Sequence, residues 1–293
     1  MRAARLHELG GVPRVDELAE PEGDVLEVTV STLNPVDISI GNGRFYGGSP
    51  PLPYVIGSEL IGRASDGRRF WYRALGTMAE RVAIGDGDLV EVPHGVADEV
   101  AVACGVAGLT GWLAVSWRTA IQPDDVVLVL GASGIVGSTA LQGAKLLGAR
   151  RVVGAARRVE AIPGAADDAI PIDGELPAAT VIVDALWGEP VQRALAAAAT
   201  GVRLVHLGQS AGPSATFESA WVRGKVANIF GHSLFALPKD VRARGYRELC
   251  EHARDGRIAF AVETYPLERI AAAWQRQASG SPGTKIVISV ASS

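Results

Sequence analysis

The stretch "VLVLGASGIVGSTALQGAKLLGA" (residues 127–149) joins an unbroken apolar run to a segment with helical spacing. Gly131, Gly134 and Gly137 stand at the junction. A buried strand that ends on glycine and turns at once into a helix leaves few folds open. The helix must pack back over its strand, and the next strand, begun at Arg151, must lie parallel to the first. Glycines let the backbone approach a ligand closely. The helix start offers free N–H groups and a positive dipole end to an anion such as a pyrophosphate. The spacing carries one residue more between the first two glycines than the dinucleotide fingerprint G-x-G-x-x-G. A glycine turn that only packs helix on strand is the competing reading.

The surroundings favour the nucleotide. Apolar runs at 126–130, 151–155, 181–184 and 202–207 read as strands, with helices near 135–147 and 190–199. A later strand falls within 225–234 and a helix over 241–254. That alternation predicts an α/β fold with a parallel, doubly wound sheet. Up to about residue 95 the chain differs. Residues 25–34 alternate Leu26, Val28 and Val30 inward, 41–54 are too rich in Gly and Pro for regular structure, and 77–84 and 87–93 read as strands. A helix spans 97–117. The tail reads as a strand, a helix over 267–277 and a final strand "TKIVISV". A β-rich part thus precedes an α/β part, and the tail is placed to return to the first.

At 293 residues, 48% hydrophobic and 20% charged, the chain has the balance of a globular protein of one large domain or two ordinary ones. A net charge of −4 argues against a nucleic-acid face or a polybasic membrane patch. Cys104 and Cys250 lie far apart in sequence and form no C-x-x-C pair, which speaks against a disulfide framework and a structural zinc and suits a reducing compartment. The N-terminus lacks the apolar core of a signal peptide, and no apolar stretch reaches the roughly 20 residues of a membrane helix. A cytoplasmic location is expected.

Further motifs line up along the chain: "NPVDISIGNGRFY", "PLPYVIGSELIGR", "GTMAERVAI", "GLTGWLAV" and "LVHLGQSAGP". In order and spacing, with the glycine stretch, they resemble the medium-chain dehydrogenase/reductase superfamily in its zinc-free quinone oxidoreductase (zeta-crystallin-like) branch. That branch carries the extra residue between the first two glycines. The resemblance implies a GroES-like partial β-barrel over 1–100, completed by 260–293, and a Rossmann nucleotide-binding domain over 101–259. It places the cofactor along Asn34, Asp37, Thr110, Gly131, Ser133, Gly134, Ile135, Val136, Gly208, Gln209, Ser210 and Gly231. It also implies a homodimer, paired through the strand near 226–231. The chain departs from the family between Gly62 and Gly76, where it is short, so part of a strand pair is expected to be missing. Where the related zinc enzymes have ligands, this chain has Asn34 and Ser58, and Cys104 is two residues out of step. A zinc-independent protein is expected.

Cofactor choice is read from the residues after the second strand. An NAD enzyme carries Asp or Glu there for the ribose 2′-OH. Here stand Ala156, Arg157 and Arg158, with no carboxylate before Glu160. Paired arginines suit a 2′-phosphate, so NADPH is expected, against the alternative of two solvated loop residues. Without a Lewis acid, the expected chemistry is hydride delivery to an electrophilic small molecule, a quinone or an α,β-unsaturated carbonyl, whose developing oxyanion needs hydrogen-bond donors and a proton. Tyr46 is the candidate donor, or else a pocket wall. Asn34 and Asp37 either orient the nicotinamide ribose or fix their loop. None of the five tyrosines has Lys four residues on, which removes the Tyr-x-x-x-Lys mechanism. The alternative function is an NADPH-binding sensor or structural protein without turnover.

Overall fold

The computed structural model describes residues 1–280 and 283–290. Two compact units emerge: Met1–Ala107 with Lys239–Asp255 and Phe260–Ser293, and Gly108–Pro238 with Gly256–Ala259. The helix Lys239–Arg254, which the sequence reading groups with the nucleotide-binding part, packs in the first unit.

In the first unit a seven-stranded sheet runs Val262–Pro266, Lys285–Ser289, Val25–Leu33, Leu60–Arg63, Arg69–Arg73, Asp88–Glu91, and Arg81–Ala83 also pairs with Val25–Leu33. The tail therefore completes the sheet of the first part, which is why its apolar run is buried. A small antiparallel sheet adds Arg14–Glu17, Arg2–Leu6 and Tyr54–Val55. Within Val25–Leu33 the residues Leu26, Val28 and Val30 face inward, and then Ser31 and Thr32 are buried as well. Their hydroxyls donate to the Glu59 carbonyl oxygen (2.8 Å) and to Glu59 Oε1 (2.8 Å), so neither is left unsatisfied.

The short segment between Gly62 and Gly76 closes as a hairpin. Leu60–Arg63 pairs with Arg69–Arg73 in four registered pairs, and Gly67, at φ +81°, makes the turn. The strand pair is shortened, not lost.

The second unit is one six-stranded parallel sheet, in the order Asp168–Pro171, Arg151–Ala156, Val126–Leu130, Val181–Asp184, Arg203–His206, Asn228–Gly231. All residues of Val126–Leu130 and Val181–Asp184 are buried, and all but Asp184 are apolar, because helices cover both faces of such a sheet. The order reverses between Val126–Leu130 and Val181–Asp184, the switch point at which such sheets bind ligands.

Asp98–Arg118 is long and apolar enough to cross a membrane, which corrects the reading that no stretch is. Its apolar window is 78% buried within the protein, and Gly105 (ψ −134°) kinks it. These are the properties of a core helix.

Candidate functional site

In the second unit the three glycines form a tight turn between strand and helix. Gly131 takes φ +81°, and its N–H donates to the Ala155 carbonyl (2.9 Å). The N–H of Gly134 closes the turn on the Gly131 carbonyl (3.1 Å). Gly134 precedes the helix Ile135–Leu146 with no side-chain cap, so the first N–H groups of the helix, those of Ile135 and Val136 among them, remain for a ligand. A Cβ on Gly137 would lie 2.3 Å from the Gly131 carbonyl oxygen, backbone that cannot step aside. The extra residue, Ser133, lengthens the turn and leaves this close packing intact. The cradle fits a pyrophosphate.

Other expected residues gather on the same sheet edge. Arg157 and Arg158 are exposed directly after Arg151–Ala156, the strand whose Ala155 carbonyl anchors the glycine turn. Gly208, Gln209 and Ser210 follow Arg203–His206, with Ser210 Oγ donating to the Ala185 carbonyl (3.2 Å), and Gly231 ends the last strand. Thr110 lies on the Leu109–Leu113 helix of this unit. Asp184, which sequence reasoning did not single out, holds the loop that follows it. It accepts from the backbone N–H groups of Leu186 (2.9 Å) and Trp187 (3.0 Å) and lies 3.1 Å from His206 Nδ1. Trp187 takes φ +58° and its ring packs on His206. His232, beyond the last strand, is buried with neither ring nitrogen partnered. Burial, then the Arg118 charge, pushes it down to about 4, so it stays neutral.

The first unit holds a buried polar network that sequence reasoning missed in the main. Lys285, 2% exposed, donates from Nζ to Asn34 Oδ1 (2.5 Å) and Glu59 Oε1 (3.2 Å). Asn34 Nδ2 donates to Glu59 Oε1 (3.0 Å) and Ser58 Oγ (3.4 Å). The other Glu59 oxygen accepts from Trp71 Nε1 (3.0 Å) and the Val106 N–H (2.6 Å). Burial alone would raise the Glu59 pKa; the Lys285 charge and these hydrogen bonds overcome it and hold the carboxyl below its ordinary value. Asn34 also caps the Pro35–Gly41 helix, with Asp37 accepting from its backbone N–H (2.7 Å). So Asn34 and Asp37 fix their loop, and the Asn34 side chain is engaged on both its ends. Tyr46, by contrast, is 82% exposed, its ring 4.4 Å from Phe45.

Among the described residues no three His, Cys, Asp or Glu side chains converge as a metal site. At the positions where zinc would be sought stand an amide and a hydroxyl, beside an ammonium whose charge repels a cation. The donor set does not fit zinc. Cys104 and Cys250, far apart in sequence, meet as buried thiols in hydrogen-bond contact, and burial, with this contact, pushes the Cys104 thiol up.

No family model matches the chain. It is 28% identical, over 92% of its length, to a phenolphthiocerol/phthiocerol polyketide synthase polypeptide of Mycobacterium tuberculosis, of which it spans 14%. It is 31% identical, over 45% of its length, to the probable acrylyl-CoA reductase AcuI of Escherichia coli, the match covering 47% of that protein. Among solved structures, the quinone oxidoreductase of Thermus thermophilus, studied also in its complex with NADPH, superposes with a TM-score of 0.84 at 26% identity over 99% of this chain and 100% of that one. Escherichia coli YhdH with bound NADPH gives 0.83 at 22%, over 99% and 100%. In fold the chain is similar to the quinone oxidoreductases, which agrees with the resemblance to the medium-chain dehydrogenase/reductase superfamily carried by its motifs.

Proposed function

We propose that this protein is a zinc-independent, NADPH-dependent oxidoreductase that reduces a quinone or an α,β-unsaturated carbonyl. The observation that carries the reading is the second unit's sheet edge, where an uncapped helix start behind three glycines stands with two exposed arginines and no carboxylate between the strand end and Glu160. The Thermus quinone oxidoreductase and YhdH, both studied with NADPH, support it. Bound NADPH supplies hydride. The chain's own part is to hold the pyrophosphate on the N–H groups of Ile135 and Val136, beside Ser133 and Gly134, and the 2′-phosphate on Arg157 and Arg158. Thr110, Gly208, Gln209, Ser210 and Gly231 are proposed to line the nicotinamide. Asn34, fixed by Lys285, and Tyr46 are proposed to meet the acceptor. The two free thiols support a cytoplasmic location.

NADPH consumption with a small quinone or enone, set against NADPH binding by fluorescence quenching, tests the reading. Binding without turnover would favour a sensor, which the inward engagement of Asn34 also suits. Tyr46 is taken here as a contact for the acceptor and not as its proton donor, so Tyr46→Phe is expected to raise KM for the acceptor more than it lowers kcat, as steady-state kinetics would show. A homodimer is proposed through Asn228–Gly231, an edge strand with Ile229 and Val226 exposed beside it. Light scattering should give twice the chain mass; a monomer at micromolar concentration overturns that pairing.

A further inference from the structure

Asp184 ends the strand Val181–Asp184 at the carboxyl edge of the second unit's sheet, where it is fully buried. A carboxyl so placed needs partners for its oxygens, and each oxygen has a separate one. Oδ1 accepts from the N–H groups of Leu186 (2.9 Å) and Trp187 (3.0 Å). Oδ2 accepts from His206 Nδ1 (3.1 Å), on the neighbouring strand.

The loop built this way is strained and laced down. Trp187 sits at φ +58°, ψ −161°, a backbone region that only glycine enters freely. Its ring packs on His206, with centroids 4.1 Å apart, and meets Phe217 edge-on. The loop after the next strand is tied to it. The Ala211 N–H donates to the Leu186 carbonyl (2.8 Å) and the Ser210 hydroxyl to the Ala185 carbonyl (3.2 Å). The two loops therefore form one lip, within a single unit. A Cβ on Gly131 would lie 3.0 Å from Leu186 Cδ2, so the leucine of the lip rests against the first glycine of the cradle. Backbone strain of this kind persists only where the surroundings over-determine it, and it collects at ligand sites. Here Asp184 and His206 do the determining, at the rim of the glycine turn.

We propose that Asp184 is a positioning residue for the dinucleotide: with His206 it holds Leu186 and Trp187 as a preformed lip beside Gly131. This rests on the nucleotide reading of the glycine turn. A loop that must be ordered on binding subtracts that ordering from the affinity, and a loop ordered beforehand does not. Asp184, fully buried, acts only through the lip. The lip stands at the cradle for the pyrophosphate, which NADPH and NADH share, so it acts on both alike. Arg157 and Arg158 act on the 2′-phosphate alone.

The experiment has two arms on the full-length protein. In the binding arm, Asp184→Ala should raise the Kd of NADPH and of NADH at least about tenfold each, with the kinetic loss falling on KM for the cofactor more than on kcat. Asp184→Asn keeps Oδ1 for the two N–H groups and should restore most of the affinity. His206→Gln should raise both Kd values about threefold, and it decides the matter if Asp184→Ala does not fold. In the second arm, hydrogen exchange at the Leu186 and Trp187 amides should be slow in the wild type, slower with NADPH bound, and fast in Asp184→Ala. Folded variants that melt at lower temperature yet bind both cofactors as the wild type does overturn the proposal, and so does a loss confined to NADPH. A wild type that binds neither cofactor overturns the nucleotide reading and the positioning role with it, and the exchange arm still decides separately whether Asp184 holds the lip.

Discussion

Lys285→Met is expected to lower the unfolding free energy by about 3–5 kcal/mol, because it removes one partner of a buried ion pair and leaves the other charge behind. Methionine fills the space of the lysine stem but donates nothing to Asn34 Oδ1 or Glu59 Oε1. The loss should depend on pH, and the sign follows from Glu59. In the wild type its folded pKa is depressed, so its stabilising contribution is present above the unfolded value and fades as pH falls through the folded one. In Lys285→Met the largest favourable cause is gone and burial raises the group instead. The native variant then holds a proton that the unfolded chain releases, and stability falls as pH rises. The deficit should be small near pH 4 and full near pH 8, read from urea unfolding. Lys285→Met with Glu59→Gln should recover part of it, since no uncompensated charge remains. An equal loss at both pH values would mean that packing, not charge, is what the lysine provides.

Asp37 runs the other way in the wild type itself. Its folded pKa is raised, so the native state binds a proton that the unfolded chain gives up, and this group costs stability as pH rises from the ordinary carboxylate range toward about 7.

NADPH is expected to exceed NADH in kcat/KM by about 10- to 150-fold, the equivalent of roughly 1.5–3 kcal/mol for a partly exposed charge-assisted contact. The 2′-phosphate carries close to two negative charges, and Arg157 and Arg158 emerge exposed where it would lie. The preference should narrow as salt rises, because exposed charges are screened. Arg157→Ala with Arg158→Ala should weaken NADPH and leave NADH nearly unchanged. Ala156→Asp should go further and turn the preference toward NADH, by adding an acceptor for the free 2′-OH and repelling the phosphate. Comparing both cofactors in wild type and variants decides it. A double variant that loses both equally shows that the arginines hold the loop and do not read the phosphate.

What the sequence could determine was local. A run such as Val126–Leu130 declares a doubly covered strand because every residue in it must be apolar, and the glycines declare the turn because no Cβ fits at Gly137. The parallel sheet, the glycine cradle and the arginines after the second strand follow from neighbours within a few positions of one another. The strand Asp168–Pro171 escaped because it is half exposed at the sheet edge and has no apolar run to show. The tertiary structure alone decided the polar interior of the first unit. Lys285 meets Asn34 across 251 positions of chain, and in "TKIVISV" it reads as an ordinary lysine opening a strand. The same holds for the thiols of Cys104 and Cys250, for the helix Lys239–Arg254 packed in the first unit, and for the cleft that joins Asp37 to Tyr54. Periodicity and turn chemistry act between near neighbours and leave a mark in sequence. A buried charge finds its partner only when the chain closes on itself, and burial, which pushes the Glu59 and Asp37 carboxyls up against whatever partners the fold brings them, is a property of the folded whole.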